Sequence, residues 1–161
     1  MDQDSRIEIF ERMTSLAEVL SNEAQTLCEL VDFIDDSEVI AKRVASLETE
    51  ADAISHMMAN RYRGSSLVED KEAMSLFKIF AKLEECTDVI DDLASSIVAY
   101  NVLELRSEMI QDIVAINSCA IRVAQLVASL KEGKSFGESQ RLVITINHFR
   151  DNAKTNWANN M

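Results

Sequence analysis

Residues 10–34, FERMTSLAEVLSNEAQTLCELVDFI, decide the fold class of this chain. Apolar residues recur along them at alternating intervals of three and four, which is the seam of a helix packed in a bundle. This seam consists of Phe10, Met13, Ala17, Leu20, Ala24, Leu27, Val31 and Ile34. It predicts a helix over residues 5–34 that ends at a polar group, in which Asp36 or Ser37 can cap the next helix.

The same spacing recurs three more times and predicts further helices over residues 38–63, 69–100 and 105–131. After a loop at 132–137, apolar residues on one face predict a fifth helix over the remainder of the chain. Their seams are Ile40, Val44, Leu47, Ala51, Ile54 and Met58; Leu76, Ile79, Leu83, Cys86, Ile90, Leu93 and Ile97; Met109, Ile113, Ile116, Ala120, Val123, Val127 and Leu130; and Leu142, Ile146, Phe149, Ala153 and Trp157. The chain contains no proline and 3 glycines, which favours long helices over a β fold rich in turns. Its 161 residues therefore predict a single all-α domain over 1–161, an antiparallel bundle of five long helices.

Charge and cysteine usage narrow the classes of function. The net charge of −12 argues against nucleic acid and anionic lipid as partners, and it suits cations, basic partners or simple solubility. The cysteines, Cys28, Cys86 and Cys119, lie far apart in helical patterns without a CxxC motif, which favours small buried thiols in a reducing compartment over zinc ligands. We find no apolar run of transmembrane length and no signal peptide, so we expect a cytoplasmic chain without direct membrane insertion.

Two rows of acidic residues flank the apolar seams of the second and third predicted helices. Glu48 and Asp52 are four residues apart, and Glu84, Asp88 and Asp92 follow each other at the same interval, so each row lies on one helix face. Stacked carboxylates tolerate this crowding when a cation lies between them, and oxygen ligands suit magnesium, manganese or iron. The same spacing is also typical of a solvated acidic face, so spacing alone leaves both interpretations open.

Other site chemistry is sparse. The sequence has no glycine-rich phosphate loop, and it has no Glu-x-x-His pair of the kind found in di-iron bundles. Neither of the two histidines, His56 and His148, belongs to a pattern typical of nucleophilic catalysis. We therefore expect a protein that is not an enzyme.

The last two predicted helices echo the first two. The seam of residues 13–34 maps position by position onto that of 109–130, and the seam of 40–51 maps onto that of 142–153. The spacing predicts one three-helix repeat over about 5–101 and an incomplete repeat over about 105–160. A helix pair without a third helix would expose an apolar groove, so we expect a homo-oligomer.

Two segments carry a resemblance to a known family. VASLETEADAISHMM (44–58) and LEECTDVIDDLASSIVAYN (83–101) are similar to the second- and third-helix signatures of PhoU-like phosphate-transport regulators, in the branch often found with low-affinity inorganic phosphate permeases. The matches lie within residues 5–105. The resemblance implies a fold of two three-helix repeats and a non-enzymatic regulatory role in phosphate uptake. It also implies a membrane phosphate permease as partner, reached from the inner face of the membrane.

The resemblance also implies a cofactor, a divalent or iron cation in the first repeat. The ligands carried over from the family motifs are Glu48, Asp52, Glu84 and Asp88, with Asp92 as a lesser candidate. In the second repeat Arg150 and Lys154 replace the acidic pair, so no cation site is expected there. We hypothesise that these cations neutralise carboxylates across the bundle. The alternative function is a ligand-free helical adaptor or oligomerisation bundle.

Overall fold

The computed structural model describes residues 1–133 and 136–159, with side chains described in these ranges except at 136, 138, 149 and 152–159. Five long helices make up these residues: α1 (Gln3–Cys28), α2 (Ser37–Tyr62), α3 (Lys71–Ala99), α4 (Ser107–Lys131) and α5 (Phe136–Asn159). No strand occurs among the described residues. The predicted all-α bundle is confirmed. The side chains of Phe149, Ala153, Lys154 and Trp157 lie outside the described set.

Helix α1 is the centre of the bundle, because it packs against α2, α3 and α4. The predicted seam was therefore too narrow, since a helix with neighbours on three sides buries more than one stripe. The additional buried residues are Ile9, Leu16, Val19, Glu23, Thr26 and Leu30. The α-helix also ends earlier than predicted, at Cys28, and continues as short 3₁₀ turns at Glu29–Val31 and Ile34–Asp36.

Helix α2 ends in a tight turn rather than in a left-handed cap. Arg63 has φ −61° and ψ 119°, and Gly64 follows with φ +80°. The amide of Ser65 donates to the carbonyl of Tyr62 at 3.1 Å, which completes a type II turn. The turn requires a positive φ at its third residue, and glycine adopts it without steric cost.

Three contacts fix the direction of the first three helices. The Met1 ammonium contacts Asp70 at the start of α3, Arg6 pairs with Glu72 at 2.9 Å, and Arg61 near the end of α2 pairs with Glu8 at 3.3 Å. The starts of α1 and α3 therefore lie beside the end of α2, at what we call the proximal end. The end of α1, the start of α2 and the end of α3 form the distal end. The three helices thus run up, down and up.

The seam predicted for α3 was rotated from the true one. Ile79 is 40% exposed and Cys86 is also exposed, whereas Phe80, Thr87 and Ala94 are buried. Leu76, Leu83, Ile90 and Ile97, which follow each other at intervals of seven residues, are buried as predicted. These four residues alternate at intervals of three and four either with Ile79, Cys86 and Leu93, as predicted, or with Phe80, Thr87 and Ala94, as observed. Periodicity alone could therefore not distinguish the two sets. Thr87 tolerates burial because its hydroxyl donates to the carbonyl oxygen of Glu84 at 2.7 Å.

Helices α4 and α5 form a hairpin that joins the bundle through the contact of α4 with α1. Their outer faces carry exposed apolar residues, namely Val114, Ile121, Val143 and Ile144. Against our expectation, α4 is long and apolar enough to cross a membrane, with a mean hydropathy of 1.7 over its best window, of which 22% is buried. Core helices of soluble proteins also meet this criterion, so it is weak evidence for insertion.

Candidate metal centre

The contact between α2 and α3 brings the two predicted acidic rows side by side. On α2 the row runs from Glu48 through Asp52 towards the proximal end, and on the antiparallel α3 it runs from Asp88 to Glu84 in the same direction. Ala51 lies fully buried between the two acids of α2. One row therefore faces the other at successive helical turns, about 5.4 Å apart.

Three of the predicted ligands converge. Oxygen atoms of Glu48, Asp52 and Asp88 all lie within 4.8 Å of one another. Glu48 and Asp52 are partly buried, and Asp88 is exposed. A divalent cation has oxygen ligands at about 2.0–2.6 Å, so atoms on opposite sides of it are separated by about twice that distance. The spacing of these carboxylates fits one such ion.

The other two predicted ligands differ in position. Glu84 is partly buried, and its pKa is raised by burial first and then by the charges of Asp88 and Asp52, while His56 lowers it. Glu84 therefore lies at the proximal edge of the cluster, within electrostatic reach of the converging carboxylates. Asp92 is exposed and does not belong to the converging group, so the structure does not bring it to the site.

The structure adds Glu23, an acid on α1 that the sequence interpretation missed. Its side chain is 0% exposed, and neither carboxyl oxygen has a hydrogen-bond partner. Burial raises its pKa to about 8, with further contributions from Asp91, Glu48 and Asp88. The sequence did contain a signal, because Glu23 lies seven residues from both Leu16 and Leu30, on a core row of α1.

Asp91 is the second acid that the interpretation missed. It is partly buried, and its Oδ1 atom is buried without a hydrogen-bond partner. Burial raises its pKa, followed by the charges of Asp92 and Asp88. Asp91 lies three residues beyond Asp88 on α3, so it extends the acidic row towards the distal end.

Helix geometry orders these acids along the bundle axis. Arg43 of α2 pairs at 2.5 Å with Glu29, the residue that follows the end of α1, and this pair sets the two helices in register. Because the helices are antiparallel, Glu23 of α1 and Glu48 of α2 both lie on the proximal side of that pair, five or six residues from it and at nearly the same position along the bundle axis. We call this position along the axis the inner level. Asp91 belongs to it, because its charge acts on Glu23. Towards the proximal end, Asp52 and Asp88 form the next level, and His56 and Glu84 form the one after that.

The hypothesis that Arg150 and Lys154 neutralise carboxylates across the bundle stays a prediction, and the ion pair that the structure shows for Arg150 lies within its own helix. Arg150 is exposed and pairs with its neighbour Asp151 at 2.9 Å. Its helix packs chiefly against α4. Lys154, the other cation in that hypothesis, has a side chain outside the described set.

No protein-family model, curated protein or solved structure matches this chain. The chemistry of the site therefore has to be judged from its own residues. Clustered carboxylates at the junction of three helices can hold hard cations.

Proposed function

We propose that this chain is a non-enzymatic regulator or accessory protein of inorganic phosphate transport that binds a divalent or iron cation. The observation that carries the proposal is the convergence of Glu48, Asp52 and Asp88 within 4.8 Å. These residues belong to the two segments that resemble the PhoU-like signatures. Glu84 lies one turn away, within electrostatic reach of Asp88 and Asp52, and we include it as a further proposed ligand of the same cation.

A regulator of transport needs a surface that contacts the transporter, and the distal end offers one. Four large apolar side chains are exposed at this end of the bundle: Phe33 (57%), Val39 (58%), Tyr100 (82%) and Leu103 (74%). Acidic residues of the same segments accompany them: Asp32, Asp35, Asp36, Glu38 and Glu104. Cytoplasmic loops of membrane proteins carry an excess of Lys and Arg, which complements this charge. We therefore propose that the chain works in the cytoplasm, at the inner face of the membrane, against a phosphate permease.

Elemental analysis of the purified protein tests the cation, combined with thermal melting before and after chelation. We expect bound metal that is lost on chelation together with thermal stability. A Glu48→Ala/Asp88→Ala variant should contain no metal and should melt at the same temperature with and without chelator. Glu50→Gln is the matched control, because Glu50 is exposed on the same helix. Metal content that survives the double substitution would exclude this site.

Phosphate uptake by cells that lack the chain tests the regulatory role. Expression of the wild-type chain should restore the normal response of uptake to phosphate supply. A Tyr100→Ser/Leu103→Ser variant should fold normally but fail to restore it, because both side chains are exposed. Uptake that is the same with and without the chain would refute the proposal.

The exposed faces of α4 and α5 favour a second candidate, a helical adaptor that self-associates. Val114 and Ile121 are 45% and 40% exposed on α4, and Ile144 is 61% exposed on α5. Such apolar faces are typical of surfaces that bind another helix. Sedimentation equilibrium should then detect a homo-oligomer that an Ile121→Glu/Ile144→Glu variant dissociates. A monomeric wild-type chain at high protein concentration would exclude self-association.

A further inference from the structure

Glu23 is the most unusual polar residue in the described structure. A carboxyl group that is 0% exposed and has no hydrogen-bond partner on either oxygen loses its hydration without compensation. Such a loss costs several kcal/mol for a charged group and about 1–3 kcal/mol for a neutral one. Leucine occupies the positions seven residues before and after it, so packing alone would be satisfied by an apolar residue here. Glu23 therefore points to a ligand.

The surroundings of Glu23 identify the chemistry of that ligand. The nearby charges that act on it belong to Asp91, Glu48 and Asp88, all of which are negative. Asp91 also has a buried oxygen without a partner. Acids from three different helices thus lie within electrostatic reach of one another at the inner level, with no cationic side chain among the groups that act on Glu23. A metal cation is the partner that satisfies such a set of oxygens.

Glu23 does not share the ion that Glu48, Asp52 and Asp88 would hold. These three form the converging group among the described residues, and Glu23 is not a member of it. Asp52 is also absent from the charges that act on Glu23. Glu48, by contrast, is acted on by both Asp52 and Asp91, so it lies between the two positions. Its two carboxylate oxygens can therefore serve one ion on each side.

We propose a second cation position at the inner level, formed by Glu23, Asp91 and the shared carboxylate of Glu48. This inference rests on the proposed cation site and extends it from the contact of α2 with α3 into the contact with α1. The inner cation would link the central helix to its two neighbours. Binding of this cation would then stabilise the packing of α1 with both α2 and α3, as a metal-dependent regulator requires.

The burial of Glu23 also selects the kind of cation. An ion at the inner level must give up most of its water, because its innermost ligand has no contact with solvent. Mg²⁺ dehydrates reluctantly and usually keeps several waters. Mn²⁺ generally binds such oxygen sites and has a paramagnetic signal that reports its surroundings. We therefore expect the inner position to bind Mn²⁺ in preference to Mg²⁺.

Titration of the full chain with Mn²⁺, followed by calorimetry and electron paramagnetic resonance, tests the proposal. The wild-type chain should bind about two Mn²⁺ ions whose spins couple through the shared carboxylate. Glu23→Gln, which removes the charge and keeps the shape, should bind about one and give the spectrum of an isolated ion. Asp91→Asn should give the same result, and it tests the position independently because Asp91 is partly exposed and its substitution places less demand on the core. Glu50→Gln should behave as wild type.

The outcomes separate this inference from the function on which it rests. A wild-type chain that binds one Mn²⁺ ion, unaffected by Glu23→Gln and Asp91→Asn, would overturn the inner position and leave the site of Glu48, Asp52 and Asp88 in place. A chain that binds no Mn²⁺, iron or other divalent ion would overturn both. Retention of both ions in the Glu23→Gln and Asp91→Asn variants would also refute the assignment of these ligands.

Discussion

The buried carboxyl of Glu23 should make the stability of this protein fall as the pH rises through neutrality. Its pKa is raised from 4.5 to about 8, first by burial and then by Asp91 and Glu48. Between these values the folded chain holds a proton that the unfolded chain has released. The stabilisation is therefore complete below about pH 4.5 and is lost as the pH rises towards about 8.

The size of the effect follows from the shift. Each pKa unit corresponds to about 1.4 kcal/mol, so Glu23 alone would lower the free energy of unfolding by about 4 kcal/mol between about pH 5 and pH 9. Entry of water around the ionised group reduces this figure, and we expect a measured loss of about 2–4 kcal/mol. Glu48 and Asp91 have raised pKa values and add to the loss in the same direction.

Urea denaturation at a series of pH values, with chelator present, measures this loss. Glu23→Gln cannot ionise, so its free energy of unfolding should change by about 2–4 kcal/mol less than that of wild type over the same range. The Met1 ammonium also has a raised pKa, but both proteins contain it, so the difference between them isolates Glu23. Parallel curves for wild type and Glu23→Gln would refute the assigned burial of this carboxyl.

Three further predictions concern the core, the cation site and the second repeat. In urea denaturation, Phe80→Ala should lower the free energy of unfolding by about 3–5 kcal/mol, and Ile79→Ala by about 1 kcal/mol or less. The reason is that Phe80 is 4% exposed and Ile79 is 40% exposed. Equal losses would show that Ile79 belongs to the core. Mn²⁺ at about 100 times its Kd should stabilise wild type by about 2.7 kcal/mol for each ion bound, but it should leave Glu48→Ala/Asp88→Ala unchanged in calorimetry. Arg150→Glu should change the free energy of unfolding by less than about 0.5 kcal/mol, since its ion pair with Asp151 is exposed; a larger loss would restore a structural role for Arg150.

The sequence predicts local structure well where a short pattern fits only one backbone conformation. The end of α3 is an example, because Asn101 takes the left-handed conformation with φ 49° and the amide of Val102 donates to the carbonyl of Ile97 at 3.1 Å. Asparagine is one of the few residues that adopt this conformation at a helix end. The helix therefore stops within one residue of its predicted end at residue 100.

Sequence reasoning also brought together part of the candidate site. The i,i+4 spacing put Glu48 with Asp52 on one face of α2, and Glu84 with Asp88 on one face of α3, and the packing of these helices makes three of the four converge. Asp92 has the same spacing from Asp88 but is exposed outside the group. Spacing places residues on a face, whereas the angle at which two helices meet decides how far along that face the contact extends.

What the sequence by itself determined was the number and type of the helices, because each pattern is a property of one segment. What only the tertiary structure decided was which helix lies at the centre and which row of each helix it covers. The central position of α1 buries Glu23 beside acids that are distant in sequence, and it leaves Ile79 and Cys86 of α3 at the surface. Burial and charge at a point in space depend on all the helices that surround it, so no single segment could predict them.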